Sequence, residues 1–121
     1  METPKRMEIY YADLIKTEGS VQYGHRPVLV VSNNIANLSS QTVIVVPFTT
    51  QQNDLPTHVA VDITGGQGPM SYLKCEQITT ISINQLDTKL GIIEDPNVIR
   101  KVNRALIIAT GLDSRFNLVC E

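Results

Sequence analysis

The chain has no tryptophan, two phenylalanines, two cysteines and two histidines among 121 residues, and each scarcity removes a class of function. Cys75, Cys120, His25 and His58 show no ligand-like spacing, so no metal site and no cofactor is expected, and the cysteines read as free thiols of a reducing compartment. Long hydrophobic runs are also missing. The apolar stretches are strand-length, well short of the roughly 20 residues that a membrane span requires. The start, Met1-Glu2-Thr3-Pro4-Lys5-Arg6, is charged and lacks an apolar signal core, so a cytoplasmic protein with no membrane contact is expected. Neither sign of charge dominates: 12 acidic residues against 10 basic ones give a net charge of −2. Composition therefore announces no broad grip on nucleic acid, and any grip has to be local. Lys16, His25, Arg26 and Lys74 offer such a patch, and read equally well as scattered surface cations.

What is present is globular chemistry. An apolar fraction of 42% in a chain of this length predicts one domain, 1–121, with its core at about 6–112 and a short tail, 113–121. A first strand is predicted at Glu8–Leu14, followed by a long loop from Ile15 to His25 that contains Gly19, Ser20 and Gly24. Two β-branched runs come next, Gly24–Asn33 and Thr42–Thr50, too short and too aperiodic for helices, and read as an antiparallel pair joined by a loop from Asn34 to Gln41. Pro47 cannot donate to a ladder, so the second run needs an edge, bulge or exit there. Val59, Val61 and Ile63 alternate as one buried face, which puts His58 on the other, as a surface or hydrogen-bonded histidine. Gly65-Gly66-Gln67-Gly68-Pro69 is a turn by composition and has no following helix signal that would make it a nucleotide loop.

A strand is expected over Ser71–Ile78, a short helical turn within Thr79–Leu86, and a last strand at Lys89–Ile93. Helix signals then converge, with Asp95 as N-cap, Pro96 at the first helical position and Gly111 after the end. Val98, Ile99, Val102, Ala105, Leu106 and Ala109 share one face of that helix, which predicts packing on the sheet. The fold class is mainly β with a C-terminal helix.

If the Asn34–Gln41 loop folds its hairpin symmetrically, Arg26 and Thr49 are each seven or eight residues from the bend. At the usual strand rise, that places both about 23 to 27 Å from the loop and next to each other. Pro27 pushes Arg26 into an extended backbone. A permanent cation beside a hydroxyl makes a phosphate site.

The order of parts resembles the MazF/PemK family of toxin endoribonucleases, over roughly Arg6 to Leu112. The resemblance is carried by Tyr11-Ala12-Asp13-Leu14, Gly24-His25-Arg26-Pro27-Val28-Leu29-Val30, Val43 to Thr49, Leu55-Pro56-Thr57-His58-Val59, and Glu76-Gln77-Ile78 with Thr80-Ile81. It implies a small antiparallel barrel of SH3-like, CcdB/PemK type, a homodimer, and ribosome-independent cleavage of single-stranded RNA at short sequences. It also implies neutralisation by a cognate antitoxin protein, with DNA contacted only indirectly through that complex. The family's catalytic arginine and threonine fall on Arg26 and Thr49, the pair that strand counting brings together.

The implied chemistry needs no metal: the ribose 2′-OH attacks its own phosphate, leaving a cyclic phosphate and a 5′-OH end. Arg26 suits charge stabilisation and Thr49 suits phosphate orientation. Where the family commonly has Gly-Ser-Glu-Gln, this chain has Gly19-Ser20-Val21-Gln22, so base work assigned to that glutamate fails here. His25 becomes the nearest group with a suitable titration range, or is a base-stacking or merely exposed ring. Tyr23 replaces a small residue and is able to stack on an unpaired base. Met7-Glu8 stands where the family often has Gly-Asp. RNA binding is expected from Ser20, Gln22, Tyr23, His25, Gln51, Pro56, Thr57 and Gln77. The rival readings are a gyrase-directed, CcdB-like toxin, whose tryptophan-containing end this chain lacks, and a non-catalytic single-strand binder.

Overall fold

In a computed structural model, which describes residues 2–118, seven strands and two α-helices follow one another. The strands are β1 (Glu8–Leu14), β2 (Gly24–Val30), β3 (Thr42–Thr49), β4 (His58–Val61), β5 (Ser71–Lys74), β6 (Thr79–Ser82) and β7 (Leu86–Ile92). The helices are α1 (Asn34–Ser39), between β2 and β3, and α2 (Pro96–Ala109), after β7. All pairings are antiparallel, in the order β4-β5-β3-β2-β1-β7, with β6 alongside β3. The predicted mainly β architecture with a C-terminal helix holds. The barrel is open, because β4 pairs only with β5 and β7 only with β1, so no ladder joins the two ends of the sheet.

β2 and β3 read as unbroken apolar runs because the curled sheet buries both of their faces. On one face Leu29, Val31, Val46, Phe48, Val59 and Leu73 pack against Val98, Ile99, Val102, Ala105, Leu106 and Ala109 of α2, the six residues that the helical period picks out. On the other face Val28, Val30, Val43 and Val45 join Tyr10, Ala12, Leu14, Ile81 and Leu86 in a second core. The helix ends as its sequence signals require. The Asp95 carboxylate accepts from the Asn97 amide, Pro96 opens the first turn, and Gly111 takes a φ of 79° beyond the last.

Pro47 sits where β3 changes neighbours. Residues 42–45 pair with β6 and residues 48–49 with β5, while Val28 of β2 lies opposite Pro47 throughout. The missing donor thus falls in the handover between β6 and β5, the exit that a central proline demands.

Three expectations need correcting. The Asn34–Gln41 loop contains α1, capped by the Asn33 side chain accepting from the Ala36 amide. Its Ile35 and Leu38 are exposed, so no buried stripe marks it in the sequence. The strand expected over Ser71–Ile78 ends at Lys74, and a 3-10 turn, Cys75–Gln77, turns the chain. The helical turn expected within Thr79–Leu86 is confined to Ile83–Gln85, and β6 precedes it. Only Ile81 of the β6 residues is buried, which leaves too little pattern for a strand to be read. Cys75 is fully buried, and that burial pushes its thiol up to about 12; Cys120 and the last residues of the tail lie outside the described residues.

Candidate active site

The β2–β3 ladder ends at Val28 opposite Pro47, and the same register extended by two residues sets Arg26 opposite Thr49. Because side chains alternate along a strand, Arg26 shares its face with Val28 and Val30, and Thr49 shares that same face with Val43 and Val45. The pair therefore closes one end of the second core, away from α2. The half-buried Arg26 guanidinium is held at two points, Nε donating to the Tyr23 carbonyl at 2.8 Å and Nη1 to the Phe48 carbonyl at 3.4 Å. Phe48 is the residue before Thr49, so the second bond ties the cation to the strand end that carries the hydroxyl. Among the described residues Nη2 has no hydrogen-bond partner, which leaves its donors to an oxyanion.

Thr49 is 8% exposed, and its Oγ1 accepts from the Gln51 amide at 3.2 Å. The hydroxyl keeps its own proton to donate. A fixed planar cation and a fixed hydroxyl donor, side by side at the rim of a core, form a geometry suited to a tetrahedral phosphate whose negative charge grows during reaction.

His25 lies elsewhere. It is adjacent to Arg26 in one strand and so projects to the opposite face, where its ring stacks on Tyr11 at 4.9 Å between centroids. Its Nδ1 is 2.7 Å from Asp13 Oδ1, its partner across the β1–β2 ladder, and Nε2 is 3.9 Å from Asp87. Strand alternation thus sets His25 on the face away from Arg26.

The loop from Ile15 to Tyr23 roofs the same end of the core. Gln77, expected to read RNA, holds that loop: its Oε1 accepts from the Gln22 amide at 2.8 Å and its Nε2 donates to the Ser20 carbonyl at 3.0 Å. Both ends of the amide are thereby engaged. Lys16 sits 5.1 Å from the centroid of the half-exposed Tyr23 ring, which leaves one ring face outward. Of the expected basic patch, Arg26 stands in the site, and Lys16 lies at its margin over the Tyr23 ring.

Gln51 and Pro56 are exposed on the β3–β4 loop. Thr57 is turned inward, its hydroxyl donating to Glu76 Oε1 at 2.9 Å, while His58 Nε2 meets Glu76 Oε2 at the same distance. Burial alone would raise the Glu76 carboxyl, yet the His58 bond, with help from backbone and Thr57, holds it below the usual carboxylate range. The expected hydrogen-bonded His58 is there, with a side chain only 4% exposed. This carboxylate, which the sequence reading gives no separate role, fixes the turn that presents Gln77. Among the described residues, no group of three His, Cys, Asp or Glu side chains is placed to hold a metal ion.

The family model described as PemK-like, MazF-like toxin of type II toxin-antitoxin system matches residues 5–110. The chain belongs to that toxin family. Endoribonuclease EndoA of Bacillus subtilis is 41% identical over 111 residues, covering 89% of this chain and 95% of the relative. Endoribonuclease MazF of Staphylococcus saprophyticus is 37% identical, covering 89% and 92%. Among solved structures, a mycobacterial endoribonuclease in complex with its cognate antitoxin is 33% identical with a TM-score of 0.75, over 91% of this chain and 97% of that one. MazF from Deinococcus radiodurans, at 18% identity and a TM-score of 0.76 over 92% and 99%, shares the toxin-family fold.

Proposed function

We propose that this chain is an endoribonuclease that cuts single-stranded RNA at a short sequence, without ribosome or metal, and that Arg26 and Thr49 are its cleavage centre. The observation that carries the reading is the Arg26 guanidinium, tied to the Tyr23 and Phe48 carbonyls beside the Thr49 hydroxyl. The endoribonuclease activity of the relatives EndoA and MazF supports the reaction class.

In the reaction the 2′-oxygen bonds to phosphorus and the P–O5′ bond breaks. The 2′-OH loses its proton, the departing 5′-oxygen gains one, and the products are a 2′,3′-cyclic phosphate and a 5′-hydroxyl. Charge accumulates on the non-bridging oxygens in between, and the free Arg26 donors meet it there. Thr49 donates to the same phosphate and fixes its orientation. With charge stabilisation supplied by a guanidinium, the step has no need of a Lewis acid. His25, on the opposite face, has no part in proton transfer.

A homodimer and neutralisation by a cognate antitoxin protein belong to the same reading. The solved mycobacterial complex supports the antitoxin, through which any DNA contact would be indirect. Purified protein incubated with a long RNA in EDTA tests the proposal. It predicts discrete fragments at a recurrent short sequence, with 5′-hydroxyl ends and cyclic or opened 3′-phosphates. RNA left intact across varied sequences, or cutting that stops in EDTA, would count against the nuclease and the metal-free step respectively.

A further inference from the structure

The two strands that leave the barrel open both wall one groove, a cavity of about 350 Å³. β7 pairs only with β1 and β4 only with β5, so among the described residues the far side of each strand carries backbone donors and acceptors with no ladder partner. The groove's floor belongs to the α2-facing core, where Ile9, Val61 and Ile93 are buried and Val98 of α2 packs against them. Its margin is apolar too, with Met70, Leu90 and Ile92 exposed. Sheet edges are usually blunted by a proline, a free charge or a covering segment. Neither β4 nor β7 has a proline, and Lys89, the one cation of β7, is paired with Glu8. Charge around the groove has one sign. Asp62 follows β4, Glu94 and Asp95 follow β7, and no lysine, arginine or histidine is among the described side chains that wall it. Asp95 caps α2, while the exposed Glu94 carboxylate has no partner among the described residues. A polyanion is repelled from such a groove and a cationic chain is drawn to it.

We infer that an extended segment of another protein, with alternating apolar residues between lysine or arginine ends, adds to the β7 edge and seats its apolar side chains in this groove. An unpaired edge supplies main-chain bonds, the trough takes alternate side chains, and the acidic margin selects the cationic ends. A second copy of this chain fits less well, because it brings the same carboxylates to the contact. The groove lies on the α2-facing core, whereas Arg26 and Thr49 close the other one, so the inference stands apart from the cleavage reading.

The test is a titration of the whole protein, followed by amide and methyl NMR, with a pool of capped heptapeptides that alternate Val, Ile or Leu with Thr between two terminal lysines. Matched pools carry glutamate at both ends, or lysine ends with proline at the centre. The lysine pool is expected to move the Met70, Leu90 and Ile92 methyls and to slow amide exchange within Leu90–Ile92, binding about tenfold more tightly than the glutamate pool at low salt. The central proline, which withdraws a ladder donor, is expected to abolish the effect. Glu94→Lys should remove most of the preference for lysine ends. Ile92→Thr, which keeps a β-branched residue in the strand, should weaken binding at least about threefold, with an unchanged Tm showing that both variants are folded. Lysine and glutamate pools that bind alike, a proline pool that binds as well as its parent, shifts confined to other surfaces, or no response at all would each overturn the inference. Protection of Leu90–Ile92 that grows with protein concentration in the absence of peptide would assign the groove to a second copy, and overturn it too.

Discussion

The role proposed for Arg26 turns on a single step along a strand. A step of one residue changes the face, so His25 and Arg26, adjacent in sequence, serve opposite sides of the sheet. The same two-residue period that pairs Arg26 with Thr49 puts its neighbour on the other face. His25→Ala is accordingly expected to keep cleavage within a few-fold of the wild type and to leave the pH–rate profile unmoved, as read from initial rates between pH 5 and 9. A profile that loses a limb near the histidine range would restore His25 to the chemistry.

Met7 is a second lesson at this scale. It stands where the family often has glycine, and it holds a φ of 74°, a conformation that costs a side chain about 1–2 kcal/mol. Its side chain is nonetheless buried in the α2-facing core, which offsets that cost. Met7→Gly relieves the backbone but empties the site, and Met7→Ala empties it while keeping the strain. The expected order of stability in urea unfolding is therefore Met, then Gly about 1–3 kcal/mol lower, then Ala lower still. An alanine variant more stable than the glycine variant would contradict the assigned strain.

Among the elements, those with strong period or strong punctuation were legible. β1 was readable to the residue, α2 was announced by Asp95, Pro96 and Gly111, and its six core-facing residues follow from a 3.6-residue period. α1 and β6 were not, since one exposes its apolar residues and the other buries a single side chain. Strand counting still found the right register across α1. A short helix centred on the bend adds equal lengths to both arms, so the symmetry argument survives the wrong loop structure.

The roof over the site was beyond reach of local pattern. Gln77 meets Ser20 and Gln22 across more than fifty residues of sequence, and a lone glutamine carries no sign of that. Gln77→Ala frees the loop amide and carbonyl, so faster proteolytic nicking between Ile15 and Tyr23 and a higher KM are expected, with a smaller loss of kcat. Nicking at the wild-type rate would show that the loop holds itself.

At the scale of the whole molecule, stability leans on carboxylates whose titration is depressed. Burial pushes Glu8 up, but its bonds with Lys89, the Lys5 amide and Tyr10 bring it below the ordinary range. Arg115 and Arg104 hold Asp113 far below it, fastening the segment after α2 to that helix. Glu76 is lowered as well. A carboxyl more acidic in the folded state binds fewer protons than in the unfolded chain, so its contribution is complete above the unfolded value, about 4, and fades as pH falls through the folded one. Tm is expected to be level from pH 7 to about 5 and to drop below about 4.5, less steeply in Asp113→Asn. A Tm that rises on acidification would reverse the sign of the argument.

The same scale explains the site's position. Two cores on the two faces of one curled sheet leave a rim where the second core ends, and the long β1–β2 loop folds over that rim. The cation and the hydroxyl sit where apolar packing stops. The central claim is that they form the cleavage centre, and the most direct measurement is the single-turnover rate of Arg26→Ala on a mapped RNA site, beside RNA affinity and Tm. A rate lowered at least about 100-fold with the fold intact is predicted, on the scale of removing an oxyanion donor. A folded Arg26→Ala protein that cuts at the wild-type rate would contradict it.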